Sequence, residues 1–341
     1  MTDSIDDIRA AERLAWAREA LQDGDIGLER ASTDAGFRSY WRTTALSPSR
    51  IIMDSPTDKE DVRPWLRMRD ILEAAGVRVP GLLAQDTTQG FLLLEDLGAN
   101  TYLHDIDAHN ADAFFDAAMM QLIKLQKATP PDDLPQYDDE MLGRELRLFD
   151  TWFCGTHLGL SLDCGEMEML DAAYRFLINN ALAQNTVLVH RDFMPRNLMQ
   201  AENGPAVLDF QDAVVGPIAY DALSLFKDAF LSWPTERVDT WLQRYHAMAD
   251  AEGLPVPALD AFIRDAELIG VQRHLKVIGI FARLHHRDFK PKYLTDVPRF
   301  FHYLDAVLPK YPELSALQSF IDTRIKPAMA ALEAKQTDAP A

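Results

Sequence analysis

This sequence has few cysteines, fewer basic than acidic residues, and no long apolar run. Its two cysteines, Cys154 and Cys164, are too few for a disulfide framework and lack metal-ligand spacing, so both are expected to be structural. Acidic residues outnumber basic ones by 53 to 34, a net charge of −19, which argues against nucleic acid or an anionic membrane as a general partner. Neither a signal-peptide core nor a membrane-length apolar run occurs, so a cytoplasmic location is expected.

Apolar residues make up 48% of the 341 residues, enough for a substantial core in one large domain or two lobes. The first part of the chain predicts short strands and two helices. Strands are expected at residues 28–32, 39–44, 50–53, 82–84 and 90–95, and helices at residues 6–21 and 63–75. The turn Thr33–Gly36 is a candidate for covering phosphates, although an ordinary hairpin turn fits its residue types equally well.

The rest of the chain predicts mainly helices. They are expected at residues 111–128, 138–156, 163–183, 219–231, 235–251, 258–286, 297–307 and 314–332, the last broken at Pro327. Glu95–Gly98 interrupts an apolar run and predicts the hinge between two lobes, although a simple strand-to-helix loop also fits. The expected fold is α+β, with a small antiparallel-sheet lobe at residues 1–97 and a mostly helical lobe at residues 98–341.

One stretch combines two apolar runs with polar residues between them. The run Thr186–Val189 predicts a buried strand, and the polar loop behind it contains His190, Asp192 and Asn197. A second run at residues 205–208 precedes Asp209, and the Asn-Gly pair at residues 203–204 predicts a hairpin turn before it. The hairpin brings Asn197 near Asp209, directly opposite for a three-residue loop and shifted by one residue for a two-residue turn. An amide oxygen and a carboxylate so placed suit a hard cation such as Mg²⁺.

The pattern His-x-Asp-x-x-x-x-Asn with a following Asp-Phe is typical of kinase-like phosphoryl transfer. In it, Asp192 is the catalytic base for a hydroxyl proton, and Asn197 and Asp209 hold Mg²⁺. His190 is expected to support the loop. The alternative to a catalytic site is a surface hairpin with scattered polar residues. The similar stretch that begins at His286 lacks the Asn and the flanking strands, so it predicts only the charged end of a helix.

These motifs, with Asp212 and the stretch at residues 216–223, resemble the aminoglycoside phosphotransferase (choline-kinase-like) family. The resemblance implies a protein-kinase-like two-lobe fold and ATP with Mg²⁺ as cofactors. It also implies a structural role for Asp221 in supporting the catalytic loop.

The nucleotide is then expected to bind in the lobe at residues 1–97. Main-chain groups of Glu95 and Leu97 would contact the adenine edge at the hinge, and Ser32 would contact the nucleotide from the end of the first strand. The third strand has no Lys for the phosphates, so Arg38 or Arg42 is expected to neutralise them. This gap leaves a non-catalytic nucleotide-binding module as an alternative.

Stretches at residues 32–40, 90–98, 189–199, 226–234 and 270–279 are more closely similar to the anomeric N-acetylmuramate/N-acetylglucosamine kinases of bacterial cell-wall recycling, a group within that family. The similarity implies transfer of the γ-phosphoryl group of ATP to the C1 hydroxyl of either amino sugar. The product would be the sugar 1-phosphate, on the way to a UDP-sugar. A small-molecule kinase for an aminoglycoside or a choline-like alcohol is the alternative, because a cationic substrate would suit the net charge.

A basic stripe on one predicted helix is the candidate sugar-binding element. Arg273, Lys276 and Arg283 fall within about 80° of each other at roughly 100° per residue. A cation there would suit the lactyl carboxylate of N-acetylmuramate. A solvated face or structural ion pairs are the competing interpretation.

Overall fold

The computed structural model describes residues 2–32 and 37–337. The predicted turn Thr33–Gly36 lies outside the described residues. The chain divides into two compact units, each built from two stretches: a sheet unit of Met1–Thr129 and Pro195–Ala213, and a helical unit of Pro130–Met194 and Val214–Ala341. The boundary of the nucleotide-binding lobe at residue 97 stays a prediction.

A five-stranded antiparallel sheet forms the centre of the sheet unit, as predicted. Its strands are β1 (Gly27–Ser32), β2 (Ser39–Thr44), β3 (Arg50–Asp54), β4 (Leu82–Asp86) and β5 (Phe91–Glu95), in the spatial order β1-β2-β3-β5-β4. Ile52 of β3 lies directly opposite Leu93 of β5. Both side chains are buried in a core cluster with Ala17 of the first helix, α1 (Thr2–Leu21). The sheet therefore owes part of its stability to apolar burial against α1.

A buried carboxylate attaches α1 to the sheet. Asp54, at the end of β3, is 1% exposed, and it accepts hydrogen bonds from Arg9 (2.8 and 3.0 Å) and Arg13 (2.7 Å). The guanidinium of Arg13 also lies 3.6 Å from the centroid of the Trp41 ring. The inner face of α1 is thus partly charged.

Three further helices belong to the sheet unit: α2 (Arg63–Ala74), α3 (Tyr102–Asp105) and α4 (Ala111–Lys127). Pro64 lies in the first turn of α2, where a missing N–H costs nothing. Gly76 follows the helix with a φ of +78°, a conformation that favours glycine and ends the helix. The predicted bounds of α2 and α4 differ from the observed ones by one residue, and α3 was not predicted.

Four short strands precede or follow the polar loop in the sequence: β6 (Thr186–Val189), β7 (Leu198–Met199), β8 (Ala206–Val207) and β9 (Val214–Pro217). β7 and β8 form the predicted hairpin, with Leu198 opposite Val207. Asn203 and Gly204 between them have φ of 68° and 109°, the left-handed conformations that an Asn-Gly turn tolerates. β6 pairs with β9, a strand absent from the prediction because its Gly216-Pro217 end is typical of a loop.

The described part of the helical unit contains eight α-helices: α5 (Asp139–Leu148), α6 (Cys164–Ala183), α7 (Ala219–Phe226), α8 (Thr235–Ala251), α9 (Leu259–His286), α10 (Val297–Val307), α11 (Ser315–Phe320) and α12 (Lys326–Thr337). The long α9 is buried along most of its length. A Cβ atom on its Gly279 would lie 2.3 Å from the main-chain carbon of Leu148, so only glycine permits this approach of α9 to α5. None of the helices in the described ranges is both long enough and apolar enough for a membrane span.

Three predicted helices are not regular α-helices over the whole expected range. The helix expected at residues 138–156 becomes π-helical at Phe149–His157. The one expected at residues 219–231 ends at Phe226, because the carboxylate of Asp228 accepts the N–H groups of residues 230 and 231 and forms a turn. The last helix is π-helical at Ile321–Ile325, just before Pro327, which has no N–H to donate to the preceding turn.

Candidate active site

The loop after β6 is attached to the helical unit through its main chain. The carboxylate of Asp221, on α7, accepts hydrogen bonds from the N–H groups of His190 (2.6 Å) and Arg191 (3.0 Å). Burial raises the pKa of Asp221 to about 6, although these hydrogen bonds and the nearby His190 act in the opposite direction. A single side chain thus holds two successive residues of the loop.

Asp192 is the exposed residue of this loop, whereas the residues on either side of it point inward. The N–H of Asp192 donates to Nδ1 of His190 at 3.2 Å, and His190 is 1% exposed. The next residue, Phe193, is buried and contacts the edge of the His190 ring. This geometry leaves the Asp192 carboxylate accessible, whereas the side chains of His190 and Phe193 are buried.

The hairpin of the sheet unit carries Asn197 and Asp209. The N–H of Leu208 donates to the carbonyl of Asn197 at 2.9 Å, so Asn197 lies opposite residue 208. This register differs by one residue from that of the expected three-residue loop, and it is not that of a two-residue turn at Asn203-Gly204. Asp209 follows with a φ of 62°. The side-chain amide of Gln211 donates to the carboxylates of Asp209 (2.8 Å) and Asp212 (3.3 Å). The hairpin therefore carries an amide and a carboxylate, which have the type of oxygen that a hard cation binds.

Arg38 lies at the same end of the sheet unit as Asp209. Its guanidinium forms hydrogen bonds with both carboxylate oxygens of Glu60, at 2.7 to 3.0 Å. Burial disfavours the charge of Arg38, but Glu60 and the charge of Asp209 outweigh it and raise the pKa of Arg38. Arg38 lines a cavity of about 300 Å³ whose other lining residues include Met53, Ser55, Glu60, Trp65 and Asp212. A cation is thus present beside the hairpin even though β3 has no Lys.

Arg42 of β2, the second candidate for contact with the phosphates, forms hydrogen bonds with the predicted hinge segment. Arg42 donates to the carboxylate of Asp96 (2.6 and 3.0 Å) and to the carbonyl of Gly98 (2.7 Å). The hydroxyl of Ser49 adds a further hydrogen bond to Asp96. Arg42 therefore stabilises the predicted hinge segment, which leaves Arg38 as the candidate for phosphate contact.

The remaining predicted nucleotide contacts lie on three strand ends or loops. Ser32 is exposed at the end of β1. The carboxylate of Glu95 is paired with Arg78 (2.5 Å) and accepts the N–H of Gly81 (3.1 Å), and the N–H of Glu95 donates to the carbonyl of Gly81. Leu97 follows on a half-buried loop. The side chain of Glu95 is thus used within the sheet unit.

The predicted basic stripe is not on the surface. Arg273 is 1% exposed and Lys276 is 7% exposed, because α9 is buried within the helical unit, and Arg283 is half-buried. The Nζ atom of Lys276 lies 2.9 Å from the carboxylate of Glu145. A solvated face is therefore wrong for Arg273 and Lys276, whereas Lys276 has the structural ion pair of the competing interpretation.

The model of the phosphotransferase enzyme family matches residues 27–263 of this chain, and the chain belongs to this family. The matched range includes the sheet, the loop with Asp192 and the hairpin with Asp209. Fold and family together define the chain as an ATP-dependent kinase. The predicted protein-kinase-like α+β fold is confirmed.

Individual relatives within the family are similar to this chain over most of its length. The chain is 48% identical over 326 residues to the N-acetylmuramate/N-acetylglucosamine kinase of Pseudomonas putida, and the alignment covers 92% of this chain and 96% of that protein. It is 49% identical over 288 residues to the protein of the same name from Pseudomonas aeruginosa, which covers 84% of this chain and 85% of that one. The ADP-bound aminoglycoside phosphotransferase APH(2'')-Ib has a TM-score of 0.60 at 15% identity over 86% of this chain and 97% of its own, a likeness of fold.

Proposed function

We propose that the chain transfers the γ-phosphoryl group of ATP to the anomeric C1 hydroxyl of N-acetylmuramate and N-acetylglucosamine. The product, a sugar 1-phosphate, suits conversion to a UDP-sugar in peptidoglycan recycling within the cytoplasm. The observation that carries the proposal is the 48% identity over 92% of this chain to the Pseudomonas putida kinase, which is named for these two sugars.

Asp192 is the proposed catalytic residue, which orients the C1 hydroxyl and accepts its proton. An anomeric hydroxyl is more acidic than an ordinary alcohol, so a carboxylate is a sufficient base. The exposed position of Asp192 on a loop held by Asp221 supports this role, because phosphoryl transfer depends mainly on positioning. His190 is proposed to support the loop from its buried side.

Asn197 and Asp209 are the proposed ligands of Mg²⁺, since this ion prefers amide and carboxylate oxygens. Within the described residues, no group of three or more His, Cys, Asp and Glu side chains is arranged to hold a metal ion, so phosphate and water oxygens would complete the coordination. When bound, the ion would neutralise charge on the transferred phosphoryl group. The bridging amide of Gln211 would keep the Asp209 carboxylate oriented.

Arg38 is proposed to replace the missing Lys of the third strand. Its pairing with Glu60 resembles in chemistry the cation–carboxylate pair by which kinases hold a phosphate-binding Lys. Ser32 and the main-chain groups of Glu95 and Leu97 complete the proposed ATP site. For Glu95 this means the carbonyl, because its N–H already donates to Gly81.

For the sugar, the proposal depends on Arg273 and Arg283, because Lys276 already contacts Glu145. The Nη2 atom of Arg273 and the Nε atom of Arg283 are buried without a hydrogen-bond partner among the described residues. A carboxylate ligand would satisfy such a donor. Arg273→Gln should therefore lower kcat/KM for N-acetylmuramate about tenfold or more and affect uncharged N-acetylglucosamine less. Equal losses for both sugars would exclude contact with the lactyl carboxylate.

The proposed activity is tested by ATP consumption with N-acetylmuramate, N-acetylglucosamine, kanamycin and choline in parallel, with ³¹P NMR of any product. We expect a sugar 1-phosphate from the first two substrates and none with Asp192→Asn. Turnover of kanamycin or choline alone would contradict the proposed substrates, whereas the proposed catalytic residues would stand. Tight ATP binding without any turnover would contradict the kinase activity.

A further inference from the structure

An ion cluster lies within the helical unit next to Asp192; it is formed by the buried Glu145 and Lys276 and the half-buried Arg191. One carboxylate oxygen of Glu145 contacts both cations, the Nη2 atom of Arg191 at 2.5 Å and the Nζ atom of Lys276 at 2.9 Å. Glu145 is on α5 and Lys276 on α9, whereas Arg191 belongs to the loop itself. The cluster therefore connects the loop to two helices that are distant from it in sequence.

Two tyrosines complete the surroundings of this cluster. The hydroxyl of Tyr137 donates to the second carboxylate oxygen of Glu145, and the Nζ atom of Lys276 donates to the hydroxyl of Tyr220 at 3.2 Å. Burial raises the pKa of the Glu145 carboxyl, but the charges of Lys276 and Arg191 outweigh burial and lower it. Glu145 is therefore held as an anion between two cations, and removal of its charge leaves both cations without their counter-charge.

Arg191 is held at both ends. Its N–H donates to Asp221, its guanidinium contacts Glu145, and its φ is 74°. The left-handed conformation is unfavourable for a residue with a Cβ, so it persists only where surrounding contacts impose it. A relaxed φ at this residue would rotate the next residue, Asp192, away from its present direction.

We propose that Glu145 and Lys276 are positioning residues that set the direction of Asp192 through the main chain of Arg191. This role rests on the proposed phosphoryl transfer at Asp192. Neither residue has to touch a substrate: Glu145 restrains Arg191, and Lys276 holds the same Glu145 oxygen in place and contributes a favourable electrostatic interaction with Asp192.

The test uses three variants of the full chain with ATP and N-acetylmuramate. Glu145→Gln places two buried cations side by side without an anion, so kcat should fall roughly 100-fold, the effect of a displacement of about 1 Å at a reacting group, while the KM for ATP stays unchanged. Lys276→Met leaves the Glu145–Arg191 contact in place and should lower kcat about tenfold. The double variant should be more active than Glu145→Gln alone, because removal of the second cation relieves the repulsion.

The control is Lys326→Met, which removes an exposed lysine that is also paired with two carboxylates, Asp305 and Asp322. It should retain wild-type kcat. A double variant no more active than Glu145→Gln, or a Glu145→Gln variant with wild-type kcat, would overturn the proposal. If Glu145→Gln does not fold, the Lys276→Met result decides: an unchanged kcat overturns the proposal and a selective loss of kcat supports it.

A second measurement is independent of the sugar. Hydrogen exchange of the Arg191 amide, which donates to Asp221, should be faster in Glu145→Gln and in Lys276→Met than in the wild type and in Lys326→Met. If the wild type phosphorylates neither amino sugar but this difference is found, the proposed function fails and the positioning of the loop stands. Identical exchange in all four proteins would overturn the positioning role.

Discussion

Asp221 is the residue at which stability and activity are expected to respond in opposite directions to pH. Its burial raises the pKa to about 6 from the ordinary 3.8, which corresponds to roughly 3 kcal/mol of folding free energy. Because the pKa is raised in the folded state, this stabilisation is fully present below pH 3.8 and is lost as pH rises through about 6. At neutral pH the folded protein thus contains an ionised carboxylate that is unfavourable for stability but accepts two N–H groups of the loop.

Asp221→Asn separates these contributions. The amide cannot ionise, which removes the cost of burying a charge, but it has one acceptor oxygen in place of two. One loop N–H then loses its acceptor at a cost of about 1–3 kcal/mol. At about pH 7.5 the two effects nearly cancel, so the free energy of unfolding should change by less than about 2 kcal/mol. The loop is nevertheless held less firmly, and kcat should fall roughly 10- to 100-fold.

Urea unfolding of wild type and variant between about pH 7.5 and about pH 4 measures the difference, in which other titrating groups cancel. The wild type should gain up to about 3 kcal/mol relative to Asp221→Asn as the pH falls. A difference that does not vary with pH would refute the assignment of a raised pKa to Asp221. Full kcat in the variant would refute its role in holding the loop.

Three further substitutions test other parts of the structure. Arg38→Ala should weaken ATP binding about 10- to 100-fold through loss of a charge-assisted contact, as measured by calorimetry, whereas the exposed control Arg144→Ala should bind ATP normally; equal affinities would exclude Arg38 from the phosphate site. Asp54→Ala should lower the free energy of unfolding by about 3–5 kcal/mol, because buried Arg13 loses its counter-charge; a loss below about 1 kcal/mol would show that the pair behaves as a surface ion pair. Gly279→Ala should destabilise by about 1–3 kcal/mol or more through contact with the main chain of α5, and an unchanged unfolding midpoint in urea would contradict that close packing.

Local signals in the sequence were sufficient for much of the fold. β2 and β6 have the bounds that their apolar and β-branched residues predict, and α8 and α10 begin and end at the predicted residues. The Asn-Gly turn forms at residues 203–204 because both residues tolerate positive φ. Such features are encoded within a few residues, so a single sequence reveals them.

The spacing of the motif likewise predicted which polar residues share one hairpin. Asn197 and Asp209 lie on the two arms of this hairpin, but the register differs by one residue from that of the expected three-residue loop and is not that of a two-residue Asn-Gly turn. Helix ends were less predictable where a side chain or a proline intervenes, as at Asp228 and before Pro327. There the competing hydrogen bond of one side chain, or the absence of one N–H, decides the bound.

The tertiary structure alone decided which charges are buried together. Glu145 and Lys276 are 131 residues apart, and their contact leaves no periodic pattern in the sequence. The same holds for Arg38 with Glu60 and for Asp54 with α1. A helical stripe specifies which residues share a face, but not whether that face meets water or another helix. The sequence by itself therefore determined the catalytic motif and the local elements that carry it, whereas the ion pairs that fix its main chain depend on the packing of distant segments.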